Sequence, residues 1–231
     1  MNASRVNTVV VGVSFIVATA AGTIAAAIGN PITGGPDYLS QIAANGGTVR
    51  IMAFLAFLMS VACAGVGLGL YPIMRKYSVG LAIGAAGFRL IESVTEALGG
   101  LAAIALLALS REFVAAGAPD AAYFQTIGAI IHAGDEWLGN GVMLITWCIG
   151  AFMYYGVFYR YRLVPRWLSV WGLIGITLTV ISSVLVMLGV IPGFGTVQMI
   201  ANLPIMPQEI VFALWLIFKG VNATTPPSQV A

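Results

Sequence analysis

Charge is what this 231-residue chain has least of: only 8% of its residues are Asp, Glu, Lys or Arg. A soluble domain carries about 25%, so this surface suits lipid rather than water. The formal net charge is +2, and no basic patch interleaves with aromatics outside the apolar runs. That excludes a nucleic-acid-binding protein. There is one histidine, His132, which excludes any two-histidine site, including paired Glu-x-x-His di-iron sites, and leaves zinc hydrolysis short of ligands. The two cysteines, Cys63 and Cys148, sit in the middle of apolar runs with no Cys or His at metal-ligand spacing. They are expected to be small packing residues. No GxSxG, P-loop, HExxH or Cys–His pair occurs. No repeat of about 20–50 residues is visible, and the two halves of the chain do not match each other. No cofactor is implied.

What is present is apolar length. Sixty per cent of residues are hydrophobic, mean hydropathy is +0.98, and a bilayer core needs about 20 apolar residues of helix. The runs imply an all-α fold, a single domain over 1–221 built as a bundle of six transmembrane helices. Their approximate bounds are 6–28, 49–72, 79–109, 122–159, 167–190 and 205–221. Asn30-Pro31, Pro72, Ser110-Arg111-Glu112 and Ile191-Pro192-Gly193 separate them, and Pro204 and Pro207 open the sixth. The stretch after Asn30 reads as a polar, glycine-rich loop. The tail 222–231 is polar and proline-bearing and is expected to be disordered. Arg5 and the alanines of the first run suggest a signal peptide, but that run is about 20 residues against a signal core of about 7–15. An uncleaved first helix is expected.

Arg5, Arg75, Lys76, Arg160, Arg162, Arg166 and Lys219 fall on one side of this topology, against Arg50 and Arg111 on the other. The positive-inside rule then places both termini in the cytoplasm. Tyr154, Tyr155, Phe158, Tyr159, Tyr161 and Trp167 lie beside those arginines, where an interfacial aromatic belt is expected.

The segments AAGFRLIES, VPRWLSVWGLIG and PQEIVFALWLIFKGV occur in that order, and through them the chain resembles the prokaryotic family catalogued as domain of unknown function 4386. The resemblance runs over nearly the whole chain, the loops least. It implies a six-helix protein of a prokaryotic cytoplasmic (inner) membrane, and no established activity, so no catalytic residue carries over. It places Arg89, Glu92 and Glu209 in the family's recognisable motifs.

Two groups of charges interrupt the runs. In the third, Ala85, Arg89, Glu92, Ser93, Glu96 and Gly100 fall within an arc of about 100°. A stripe of small and polar residues is the face a helix turns toward other helices. Arg89 and Glu92 at i, i+3 can pair, and each lone charge at the bilayer centre costs about 2.5–3.5 kcal/mol. Depending on depth, Arg89 is either mid-membrane or snorkels to the cytoplasmic face. In the fourth run, His132, Asp135 and Glu136 share one helical face, which continues through Gly139, Met143, Gly150 and Tyr154. If the third and fourth helices form an unbroken hairpin, Glu96 stands level with Asp135. Glu209 comes in from the same side, one turn into the sixth helix, where the helix dipole also favours an acid.

Three functions fit these residues. One is a protein that binds or conducts a small solute or a proton through a polar intramembrane cavity lined by Arg89, Glu92 and Glu96, with Asp135, Glu136 and Glu209 near its outer mouth. The second is a non-catalytic membrane partner or sensor whose buried charges only fix helix packing. The last is a metal-assisted intramembrane enzyme, for which His132 is the one, weak, metal candidate. The expected partners are the lipid bilayer and a small-molecule or proton ligand; the sequence carries no determinant of oligomeric state.

Overall fold

A computed structural model describes residues 3–117, 121–193 and 195–222. The proposed disordered tail, from residue 223 on, lies outside them. The described residues contain helices and no strand: α1 (Ala3–Thr33), α2 (Tyr38–Ala44), α3 (Gly46–Met74), α4 (Val79–Ala115), α5 (Ala121–Glu136), a π-helical segment (Trp137–Met143), α6 (Leu144–Arg160), α7 (Arg166–Met187), α8 (Thr196–Asn202) and α9 (Ile205–Phe218). Six stretches are long and apolar enough to cross a membrane, the fourth running from α5 through the π segment into α6 and the sixth from α8 into α9. Helix is the outcome that such runs force, because lipid offers no partner to an unpaired backbone N–H or C=O.

The helices depart from the expected spans at informative places. α1 continues through Asn30-Pro31 to Thr33, since a proline in the last turn forfeits one backbone hydrogen bond close to where the ladder ends anyway. The stretch read as a loop folds back as α2, whose Leu39 and Ile42 are buried. The sixth span is broken at Leu203-Pro204. Pro204 and Pro207 have no N–H to give to Ile200 and Leu203, and the Ile200 carbonyl instead accepts from Leu203, three residues on, at 3.3 Å. The fourth span widens into the π turn around Gly139-Asn140-Gly141. Gly141 there lets Met187 of α7 approach to 2.9 Å (sulfur to an ideal Cβ).

Small residues carry the tightest helix contacts. A Cβ on Gly67 of α3 would stand 2.8 Å from the Arg89 Cβ and 3.2 Å from the Ala86 carbonyl oxygen of α4. One on Gly100 would meet the Ala53 carbonyl at 3.2 Å. Such close approach is how lipid-embedded helices gain dispersion energy in the absence of a hydrophobic drive. The core beside this seam is aromatic: Phe15, Tyr154, Tyr155, Phe158 and Phe212 are all buried, with the Phe15 and Phe212 rings edge-on at 5.5 Å. The expected interfacial belt therefore loses Tyr154, Tyr155 and Phe158 and keeps exposed Tyr159 and Trp167 and half-buried Tyr161. Tyr155 satisfies its hydroxyl inside the core by donating to Gln208 Oε1 at 2.7 Å, so it has no need of the interface.

One end of the bundle gathers the seven cations that the sequence grouped. Arg5 donates to the last carbonyls of α9, Leu216 at 2.9 Å and Ile217. The Asn222 N–H reaches the Leu163 carbonyl at 2.8 Å, and the Tyr77 and Tyr161 rings meet at 4.7 Å. None of the chain's eight acids falls in these segments. Replacing Gly67 by Val is expected to push α3 off α4 and destabilise the bundle by about 1–3 kcal/mol, the usual cost of overpacking. Thermal denaturation in detergent measures it, and an unchanged midpoint would contradict the close-packed seam.

Candidate functional site

Arg89 and Glu92 stand one turn apart on the inward face of α4, about 15 Å along the helix from its basic end. They are only 2% and 3% exposed. Arg89 therefore does not snorkel to the surface; its charge is met where it lies. The guanidinium Nη1 sits 3.0 Å from Glu92 Oε2 and donates to Oε1 at 3.1 Å. Its carbon lies 5.3 Å from the centre of the Phe15 ring, a cation–π contact that strengthens when water is excluded. Cys63 of α3 donates its thiol to Glu92 Oε1 at 3.3 Å, which corrects the expectation that it only fills space. Next to the pair, Ser93 and Ser60 join α4 to α3 by a hydroxyl–hydroxyl bond of 3.0 Å. The guanidinium Nε is buried and has no hydrogen-bond partner among the described residues.

The pair forms the floor of a cavity of about 250 Å³. Glu209, half-buried on α9, faces it from the opposite wall and accepts from the Thr19 hydroxyl of α1 at 3.4 Å. Phe15, Met59, Met143 and Trp147 supply apolar walls, and exposed Thr23 and Met206 form its rim. Both backbone irregularities border it. Met143 and Leu144 mark the return from π to α geometry, and Asn202 and Ile205 flank the break in the sixth span. π turns and broken transmembrane helices recur at binding sites because they aim side chains and free carbonyls into a space that a regular helix would close.

The other expected site residues lie elsewhere. Glu96, one turn beyond Glu92, is half-buried and off the cavity lining, within electrostatic reach of Glu92, Asp135 and Arg89. Asp135 Oδ1 is 3.4 Å from where a Cβ on Gly99 would stand, and its carboxylate is within electrostatic reach of Glu96, so α5 and α4 face each other close to the expected level. Exposed Glu136 accepts the Gly193 backbone N–H at 3.0 Å and so pins the turn after α7. His132 packs its ring edge-on to Tyr38 of α2 at 4.9 Å, and burial raises the Tyr38 phenol above its ordinary pKa. The shared face of His132, Asp135 and Glu136 thus fans out onto three different neighbours. Further along the expected face, past the π turn, Gly150 packs against Ala85 and Phe88 of α4. Among the described residues no three His, Cys, Asp or Glu side chains come together as a metal site.

Phe15, Thr19, Trp147 and Asn202 belong to the site and were not singled out by sequence, and Cys63 was read only as a packing residue. Only Thr19 gave a signal, a polar residue inside the first apolar run.

Six membrane-length helices around an interior ion pair define a multi-pass membrane protein. The chain belongs to the family described as Domain of unknown function (DUF4386), whose model matches residues 10–220. Neither the curated proteins nor the solved structures contain a match.

Replacing Arg89 by Met leaves Glu92 buried without a cation, a loss that typically costs about 3–5 kcal/mol. It is expected to cut the folded, monodisperse yield sharply, and the double variant Arg89→Met, Glu92→Met to recover much of it. Size-exclusion chromatography measures this, and a double variant as poor as the single one would contradict the ion pair's role.

Proposed function

We propose that this protein takes a small solute or a proton into the cavity between α1, α4 and α9, with Arg89, Glu92 and Glu209 as its polar contacts. The observation that carries the reading is their convergence: three ionisable groups from two helices line one space inside an otherwise apolar bundle. An intramembrane charge is costly and ordinarily has a partner or a task. Arg89 and Glu92 are each other's partner; Glu209 has no cation within ion-pairing distance among the described residues. The broken sixth span and the π turn beside the cavity support the same reading. Glu96, Asp135 and Glu136 are assigned to packing and loop anchoring rather than to the pathway. The seven cations at one end, with no acid beside them, support a cytoplasmic (inner) membrane of a prokaryote with both termini inside.

A second reading, in which the charges serve packing alone within a membrane partner or sensor, is favoured by one observation. The Arg89–Glu92 pair is already neutralised by itself, Cys63 and Phe15. The two readings differ in flux. Proteoliposomes with an internal pH dye are expected to show proton flux above that of protein-free vesicles, reduced by Glu209→Gln and by Glu92→Gln. Flux no greater than that of empty vesicles, with and without a membrane potential, would leave the packing reading in its place.

A further inference from the structure

The cavity's charges do not cancel. It holds one guanidinium and two carboxylates, and the guanidinium is committed to Glu92 at 3.0 Å. Glu209 is left with the Thr19 hydroxyl at 3.4 Å, the Trp147 indole N–H and the field of a guanidinium that is already paired. A neutral ligand in this space leaves that carboxylate without a counter-charge, and an anion adds a second uncompensated negative charge; both are costly away from water. A cation supplies what is missing. The walls around Glu209 suit a particular kind of cation: Phe15 and Trp147 are aromatic, and Met59, Met143 and Met206 are flexible, polarisable side chains that mould to an apolar body.

The rim says where such a ligand comes from. α1 is 31 residues long, about 46 Å against a hydrocarbon core of about 30 Å. Thr23 lies about 15 Å short of its C-terminal end, within the hydrocarbon depth rather than at the water boundary. Its neighbours on the surface are lipid-facing: Ile24 is 50% exposed, Leu203 63% and Ile210 45%. The gap between α1 and α9 at Thr23 and Met206 therefore opens sideways into the bilayer.

We propose that the ligand is a lipophilic monocation, an apolar body carrying one protonated amine or quaternary ammonium, which passes from the bilayer between α1 and α9 and pairs with Glu209. This deepens the cavity reading above and rests on it.

Shape and charge can be separated with benzyltrimethylammonium and its neutral isostere neopentylbenzene, titrated into the full chain in phosphatidylcholine nanodiscs with empty nanodiscs subtracted. The cation is expected to bind at least about tenfold more tightly than the neutral compound, the scale set by losing one partner of a buried charge pair. Glu209→Gln is expected to remove that preference while melting at the wild-type temperature. Equal or tighter binding of neopentylbenzene to the wild-type protein, or a preference for phenylmethanesulfonate, would overturn the inference and leave the cavity reading standing. Binding of none of them overturns the inference alone if proton flux persists in proteoliposomes, and both readings together if flux is absent too.

Discussion

A guanidinium in a space without bulk water has to be neutralised where it stands, and the interior of this bundle is arranged around that requirement. Arg89 is held between a carboxylate one turn along its own helix and an aromatic face from α1. Cys63 adds a third contact through Glu92. The pair fits because α3 has a glycine at the crossing: Gly67 leaves room for the Arg89 stem where any Cβ would collide. Gly150 of α6 lies against the same stretch of α4, where a Cβ would stand 3.3 Å from the Phe88 Cβ and in ordinary contact with the Arg89 Cγ at 3.6 Å. Close helix packing and charge burial are therefore one feature.

The same economy of space explains why the cavity lies where it does. A regular sixth helix would carry its hydrogen-bond ladder past Asn202, but Pro204 and Pro207 interrupt it at that level. The π turn of the fourth span falls opposite and delivers Met143 and Trp147 to the cavity wall. Two helices that fail to be regular at adjoining points cannot pack flush, and the space between them stays open. Glu136, the last residue of α5, is committed to the Gly193 backbone and stabilises the turn that leads from α7 into the broken span.

Much of this was legible in the sequence, for identifiable reasons. Apolar run length gave the six spans, because helix is the only backbone that lipid tolerates over such runs. The 100° periodicity gave the inward face of α4, and the residues it picked out at Arg89, Glu92 and Ser93 are buried and bonded. Proline gave the level at which the sixth span begins afresh. The π turn between α5 and α6 was not legible, because the close Met187–Gly141 contact beside it leaves no periodic signature. Cys63 was misjudged for a related reason: a lone thiol reads as a small hydrophobe until the carboxylate of another helix is placed beside it. Tyr154 and Tyr155 were assigned to the interface on composition, whereas Gln208, far away in sequence, allows Tyr155 to be buried.

The central claim is that the space above the Arg89–Glu92 pair is a hydrated binding cavity rather than a gap sealed by side chains. Hydroxyl-radical footprinting by X-ray radiolysis of the protein in nanodiscs tests it most directly, because radicals born from internal water oxidise the residues beside that water. Met143 on the cavity wall is compared with Met74, which is fully buried in the core away from it. The account requires Met143 and Trp147 to oxidise much faster than Met74. Protection of Met143 equal to that of Met74 would mean a dry interior, and the charges would then be packing devices.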